Sequence, residues 1–209
     1  REPYVPGFVA QEKKISGPLR GSAFHRAMEI LDLENLLGEW FAEFPEDYGQ
    51  YRDKLQQHRE ELVKRIVVYL QDQAETLKLS TEYYEAVNPR KVAAFLESES
   101  AYRMWRAERE NDLYREQPFV LGIDAKELSN RFEGDAPEGE ILLIQGIIDV
   151  FWMERDGIVL LDYKTDNIDS TDALWDRYEA QMDYYSRALT QITKRPVKER
   201  ILYSSYLEQ

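Results

Sequence analysis

The stretch GIIDVFWMERDGIVLLDYKTD, residues 146–166, decides the fold of this chain because it predicts a β-hairpin. Two apolar runs, residues 141–153 and 158–163, flank a short polar segment that includes Asp156 and Gly157. Asp-Gly between apolar runs is among the strongest local signals of a two-residue hairpin turn. The sequence therefore predicts two antiparallel strands with Asp156 and Gly157 at the turn between them.

The register of this hairpin determines which polar side chains share a face. With that turn, Asp149 is predicted to lie opposite Lys164, and Phe151 opposite Asp162. Cross-strand partners share a face, and side chains two apart on one strand share it too. Asp149, Asp162 and Lys164 are therefore predicted to converge, with the two carboxylates on a diagonal of roughly 7 Å. A register slip of one residue would separate them.

The convergence of two aspartates and a lysine indicates a metal site. Two carboxylates this close repel each other unless a cation lies between them, and hard oxygen ligands favour Mg²⁺ or Mn²⁺ over Zn²⁺. Such an ion polarises a phosphoryl oxygen, and Lys164 is placed to orient the attacking water or stabilise the charged phosphorane. A surface hairpin with an Asp–Lys ion pair is the alternative. It is disfavoured because Asp149 and Asp162 interrupt apolar runs, where unpaired carboxylates are costly.

Composition limits the classes of protein to which the chain can belong. Its 209 residues suffice for one sizeable core, and it contains no Cys. Disulfides, thiolate zinc sites and iron–sulfur clusters are therefore excluded, and an intracellular origin is favoured. The sequence has no signal-peptide pattern and no apolar run near the roughly 18 residues of a membrane span, so we expect a soluble, cytoplasmic protein. Because the first residue is Arg, we also expect a fragment of a longer chain.

The formal net charge of −13 argues against autonomous binding to nucleic acid. Proteins that bind DNA on their own usually present a basic face to the phosphates. If the substrate is DNA, the isolated chain is therefore expected to bind it weakly, and other domains would have to deliver the strand.

The first half of the chain is predicted to be helical. Residues 1–19 form an irregular lead-in, and a helix follows over residues 22–44 with Ser22 as its cap. Gly38 and Pro45 divide what comes next. Further helices are predicted over residues 53–79 and from Asn88 and Pro89 to about residue 110.

The second half is predicted to be a mixed α/β unit. Its elements are a strand over residues 113–128 interrupted at Pro118, a turn over 129–139, the hairpin, a helix over 171–193 and a strand over 197–206. We therefore expect one domain over residues 1–209, with a helical part over 1–112 and an α/β core over 113–209.

Five ordered motifs carry a family resemblance over about residues 21–206. They are GSAFH at 21–25, EQPF at 116–119, GIID at 146–149, DYKTD at 162–166 and QMDYY at 181–185. In this order and spacing they resemble the RecB-like nucleases of the PD-(D/E)XK superfamily, most closely the C-terminal nuclease domains of AddA-type helicase-nuclease subunits. The resemblance implies a restriction-endonuclease-like α/β fold, a mixed sheet core with flanking helices.

The resemblance also implies roles for individual residues. His25 would complete the metal shell of Asp149 and Asp162, and the main-chain carbonyl of Tyr163 would add a further ligand. The position of His25 alone, beside the apolar stripe of its helix, favours an ordinary helix residue over a metal ligand. His58, among polar neighbours, is expected to be solvated.

A second pair of family positions lies on one helix. Gln181 and Tyr185 are four residues apart, hence on one helical face, with Tyr178 one turn earlier. The resemblance implies that Gln181 and Tyr185 steady Lys164 or contact the DNA backbone. On spacing alone, packing in the core explains the tyrosines as well as a role in the active site does. The role of Glu116 stays open.

At the level of the whole protein, the resemblance implies hydrolysis of single-stranded DNA with Mg²⁺, for which Mn²⁺ would substitute, and without an iron–sulfur cluster. It further implies an AddB-like partner subunit, helicase domains in the same full-length chain, and a role in double-strand-break repair and recombination. The alternative is a non-catalytic docking module that keeps the fold for assembly with a partner protein. A metal phosphatase is disfavoured because the carboxylate clusters of a full two-metal site are missing.

Overall fold

The structure, a computed structural model, describes residues 16–41, 43–126 and 140–208. The turn predicted over residues 129–139 and most of the predicted lead-in lie outside these ranges. Within them, none of the helices has the length and apolar composition needed to cross a membrane.

Helices make up the described part of the chain before residue 111. They are α1 (Gly17–Glu29), α2 (Leu33–Leu37), α3 (Tyr48–Gln57), α4 (Arg59–Glu75), α5 (Thr81–Ala86), α6 (Pro89–Leu96) and α7 (Glu99–Glu110), with a 3₁₀ turn at Gly38–Trp40.

Most predicted helix boundaries in this half are wrong, and one start is confirmed. The helix predicted over residues 22–44 is divided into α1, which ends at Glu29, and α2, which begins at Leu33. Helix α1 begins at Gly17 rather than near Ser22, because the Ser16 side chain accepts a hydrogen bond from the Leu19 N–H and Pro18 suits the first turn. The predicted helix over residues 53–79 is divided at His58 into α3 and α4. The predicted start of α6 is confirmed, since the Asn88 side chain accepts from the Arg90 N–H.

Within the described ranges, the sheet has four strands in the order β1-β2-β3-β4. They are β1 (Leu113–Asp124), β2 (Ile141–Glu154), β3 (Gly157–Lys164) and β4 (Val197–Ser204). β1 and β3 pair with β2 antiparallel, whereas β4 pairs with β3 in parallel. A parallel neighbour requires a crossover connection, and helix α8 (Thr171–Thr193) supplies it. The predicted mixed sheet with flanking helices is therefore confirmed.

The predicted hairpin register is wrong by two residues. Gly157 pairs with Glu154, so Arg155 and Asp156 form the turn. Gly157 serves a tertiary contact instead, because a Cβ atom there would lie 2.8 Å from the carbonyl oxygen of Pro196. A shift of two residues keeps every side chain on its predicted face, since side chains alternate with a period of two.

The predicted interruption at Pro118 is also wrong, because β1 continues through this residue. β1 is an edge strand, where a proline can lack an N–H without breaking a ladder on both sides. The irregular residue is Glu116, whose φ of 50° lies in the left-handed region and whose position is missing from the ladder with β2.

The sheet separates two apolar cores. One face packs against helices of the first half through Trp152, Leu161 and Tyr163. The other face packs against α8 through Phe151 and Leu160. Because side chains alternate along a strand, the residues that follow Leu160 in steps of two, Asp162 and Lys164, also face α8.

Candidate active site

Asp149 lies where strands β2 and β3 separate. The ladder between them ends at the pair Val150 and Leu161, and the next pair in that register would be Asp149 and Asp162. There, Asp149 Oδ2 accepts a hydrogen bond of 2.9 Å from the backbone N–H of Tyr163. The Asp149 side chain therefore takes the place of the next backbone hydrogen bond between the strands. Its carboxylate thereby lies next to Asp162.

The Asp162 carboxylate is buried and poorly compensated. The residue is 3% exposed, and its Oδ2 lies 2.6 Å from Lys164 Nζ, yet no partner in the described part of the chain meets hydrogen-bond geometry. Burial, followed by the charge of Asp149, raises the pKa of Asp162 well above its usual range, and Lys164 and His25 only partly offset this. The folded protein thus holds an anionic site that favours an additional cation.

Lys164 is held by contacts from helix α8. Its Nζ donates to Gln181 Oε1 at 2.8 Å and lies 3.8 Å from the ring centroid of Tyr178, a cation–π contact. Gln181 Nε2 donates in turn to the hydroxyl of Tyr185 at 2.6 Å. The structure thus brings Gln181 to the lysine and links Tyr185 to it through Gln181, and Tyr185 also packs edge-on against Phe119.

The sequence did not assign the contact of Tyr178 with Lys164. The Tyr178 hydroxyl donates to the Asp166 carboxylate, which follows Lys164 by two residues. Burial, together with that carboxylate, raises the pKa of Tyr178 to about 12, so the ring that faces the ammonium stays neutral. The spacing of Tyr178 and Gln181, three residues apart on one helix, is the only signal that could have indicated this role.

His25 reaches Asp149 from helix α1, on the other side of the sheet. Its Nδ1 lies 3.3 Å from Asp149 Oδ2, and its ring stands edge-on to Tyr163 with centroids 6.0 Å apart. Burial alone would lower the pKa of His25, but Asp149 and then Asp162 raise it above its usual value. His58, by contrast, lies beside Trp40 and Glu61, outside this site.

Gly21 allows helix α1 to bring His25 into place. A Cβ atom at Gly21 would lie 2.7 Å from Thr165 Oγ1, well inside van der Waals contact. Gly21 precedes His25 by four residues, so both lie on the helix face that packs against the end of β3. Gly21 therefore limits how closely His25 approaches the carboxylates, a positioning role that the GSAFH motif does not by itself indicate.

Glu116 lies in the same cleft as His25. The two residues help to line a cleft of about 540 Å³ between α1 and the end of the sheet. Burial, then the neighbouring charge of Asp149, raises the pKa of Glu116. Its left-handed backbone is uncommon for a residue other than glycine. The Glu116 carboxylate thus lies close enough to Asp149 for the two charges to interact.

The described residues do not contain a preassembled group of three or more His, Cys, Asp or Glu side chains around one metal position. Lys164 Nζ lies against Asp162, and the Tyr163 N–H and His25 lie against Asp149. The donor set still fits a hard divalent cation, since it offers two carboxylates and an imidazole. The buried Asp162 oxygen without a hydrogen bond supports the same fit.

This geometry agrees with a known class of nucleases. The profile of the PD-(D/E)XK nuclease superfamily matches residues 4–208. The chain belongs to this superfamily, and its mixed sheet with flanking helices is the corresponding restriction-endonuclease-like fold. Nucleases of this superfamily generally use divalent metal ions.

Curated relatives narrow the comparison further. The chain is similar to the AddA protein of the ATP-dependent helicase/nuclease of Clostridium botulinum (strain Loch Maree / Type A3), with 35% identity over 198 residues, 95% of this chain. It is also similar to the protein of the same name from Lachnoclostridium phytofermentans, with 31% identity over 234 residues, 97% of this chain. The predicted resemblance to AddA-type proteins is confirmed. The chain spans 13% and 15% of the lengths of these two relatives.

Proposed function

We propose that this chain is the nuclease domain of an ATP-dependent helicase-nuclease, and that it hydrolyses phosphodiester bonds of single-stranded DNA with a divalent metal ion. The observation that carries the proposal is the buried Asp162 carboxylate, which lies beside Asp149 and Lys164 and has an oxygen without a hydrogen bond in the described part of the chain. Membership of the superfamily supports nuclease chemistry, and the names of the relatives support the helicase-nuclease setting.

Four residues would hold the ion. They are His25, Asp149 and Asp162 through their side chains and Tyr163 through its main-chain carbonyl. Oxygen-rich donors of this kind favour Mg²⁺, for which Mn²⁺ can substitute. When bound, the ion supplies positive charge that polarises a phosphoryl oxygen and lowers the pKa of a nearby water.

The other residues of the site act on the water and on the developing charge. Lys164 Nζ orients the attacking water and stabilises the charge on the phosphorane. Gln181 and Tyr185 fix the lysine through the chain of hydrogen bonds described above. The water oxygen attacks phosphorus, the P–O ester bond breaks, and one product ends in a phosphate and the other in a hydroxyl.

The setting of the enzyme follows from the proposed activity. Helicase domains of the same full-length chain and an AddB-like partner subunit would bring single-stranded DNA to the site, in double-strand-break repair and recombination in the cytoplasm. The net charge of −13 supports such delivery, because an acidic domain attracts DNA poorly. Residues 1–209 would form one nuclease domain, with residues 113–209 as its α/β core.

Metal dependence tests this proposal. A labelled single-stranded oligonucleotide incubated with the chain should be cut in Mg²⁺ or Mn²⁺, and EDTA should stop the reaction because the carboxylates then lack their counter-charge. The same oligonucleotide annealed to its complement should be cut more slowly. Cleavage that persists in EDTA, or its absence in both metals, would contradict the proposal.

Gly21→Ala should reduce cleavage by about tenfold or more without unfolding the protein. The added methyl group would meet Thr165 Oγ1 and move α1, and with it His25, away from Asp149. A small misplacement in a catalytic site has effects of up to about 100-fold. Initial rates at saturating Mn²⁺, with circular dichroism as the folding check, would measure the effect.

Helix α3 offers a matched control. A Cβ atom at Gly49 would meet only the exposed Asp47 side chain, and Gly49 does not line the cleft of His25, so Gly49→Ala should cleave like the wild type. Removing the clashing oxygen in Gly21→Ala/Thr165→Ala should restore part of the lost activity. Equal rates for the two single variants would show that Gly21 does not position the site.

A further inference from the structure

A second cleft adjoins the one that contains His25. It has a volume of about 530 Å³ and lies between the first turns of α1 and the start of α6. Gly21 and Thr165 line both clefts, so the two meet at the end of strand β3. A strand that crosses the catalytic carboxylates and continues past Thr165 would enter this second cleft.

The charge of the second cleft differs from that of the chain as a whole. The described residues that line it include the cations Arg20 and Lys91 and no Asp or Glu. The chain carries 40 acidic against 27 basic residues, and the first cleft includes Glu29 and Glu116. The second cleft is thus a locally positive surface in an acidic protein.

The two cations of this cleft have no ion-pair partner among the described residues. Nearby arginines differ, since Arg26 pairs with Glu29 and Arg90 pairs with Glu60. Arg20 is exposed and Lys91 is half-buried. Both charges are therefore free to meet an anion without first breaking a salt bridge.

The second cleft is also fixed rigidly to the catalytic strand. The backbone N–H of Ser205, in its lining, donates to the carbonyl oxygen of Lys164 at 2.8 Å. Arg20 precedes His25 by five residues on α1, which places it about 7.5 Å away along the helix axis. A chain of phosphates could therefore contact the metal site and Arg20 at once.

We propose that this cleft binds the sugar-phosphate backbone of the DNA strand on one side of the scissile bond, with Arg20 and Lys91 contacting its phosphates. The inference rests on the proposed function, because it extends the path of that substrate. Phosphate contacts position a strand without reading its sequence. The cleft would thus hold any sequence across the catalytic carboxylates.

The double variant Arg20→Ala/Lys91→Ala tests the inference. Binding of a fluorescent oligothymidylate would be followed by anisotropy in Ca²⁺ over a range of salt concentrations. We expect about tenfold weaker binding at low salt. The slope of log K against log salt should shrink by about 1.4, since each phosphate contact in a single strand contributes about 0.7. Calorimetric Mn²⁺ binding should be unchanged.

A charge-matched control is Arg52→Ala/Lys64→Ala, which removes two exposed cations from α3 and α4 outside this cleft. It should keep the wild-type affinity and slope. Wild-type binding by the Arg20/Lys91 variant, or an equal loss in the control, would overturn the inference. Failure of the proposed function would appear differently, as a wild-type chain that binds the strand but does not cut it in Mn²⁺.

Discussion

Asp162→Asn is expected to abolish metal-dependent cleavage, with a loss of at least about 10³-fold. The amide cannot supply the anionic oxygen that now lies buried without a hydrogen bond beside Asp149, so the counter-charge for the ion is lost. Asp149→Asn should cause a loss of similar size. Single-turnover cleavage in Mg²⁺, together with calorimetric titration of Mn²⁺, would measure both effects.

The same variant should fold at least as well as the wild type in EDTA. Burial and Asp149 raise the pKa of Asp162, so its ionised form destabilises the folded protein above that pKa, whereas the protonated form does not. The stability advantage of Asp162→Asn should therefore grow as the pH rises from about 4 through the folded pKa of about 6, and level off above it. Asp176→Asn, at an exposed position on α8, is the control and should change neither cleavage nor this pH dependence. Retained cleavage in Asp162→Asn would argue against a catalytic carboxylate.

Lys164→Ala is expected to reduce cleavage by about 10² to 10⁴-fold while Mn²⁺ binding stays equal or becomes tighter. The lysine positions water and charge, but its Nζ also lies 2.6 Å from Asp162 Oδ2, where it competes with a bound cation. Lost cleavage with retained Mn²⁺ binding distinguishes Lys164 from the two aspartates. Replacing either aspartate should remove both cleavage and Mn²⁺ binding. Single-turnover rates and calorimetry on the same preparation would measure it.

Two further variants make the lysine experiment specific. Lys198→Ala removes a lysine from the far end of the sheet, where it pairs with Glu154, and should leave cleavage unchanged. Gln181→Leu keeps the lysine but removes its acceptor, so it should give an intermediate loss. Weaker Mn²⁺ binding in Lys164→Ala, or full activity, would contradict the assigned role.

The faces of the hairpin could be predicted from the sequence although its register could not. The Asp-Gly signal placed the turn one residue too late, which shifts the pairing register by two, because Gly157 is needed where the chain approaches the Pro196 carbonyl. That requirement comes from β4, which is distant in sequence. Because the register error is two residues, every side chain keeps its face, and Asp149, Asp162 and Lys164 still converge.

Local patterns also predicted the helix that completes the site. The spacing of Gln181 and Tyr185 placed both on one face of a helix over residues 171–193, where Gln181 contacts Lys164 and Tyr185 contacts Gln181. The break between α3 and α4 at His58, in contrast, has no proline or glycine that would indicate it in the sequence. It was missed for that reason.

The contacts that hold the site together could not be predicted because they join separate elements. The close approach of Gly21 to Thr165 depends on how α1 docks against the end of β3. The pairing of Tyr178 with Asp166 depends on the packing of α8 over the sheet. Neither distance follows from periodicity or turn chemistry, which describe one element at a time.

The central claim is that the carboxylates of Asp149 and Asp162 together hold a divalent cation. Anomalous diffraction from a crystal of the chain soaked in Mn²⁺ tests it most directly. We expect a single strong peak in contact with an oxygen of each carboxylate, and its disappearance in Asp162→Asn. A soaked wild-type crystal without a peak at these two side chains, or with a peak that persists in the variant, would contradict the claim.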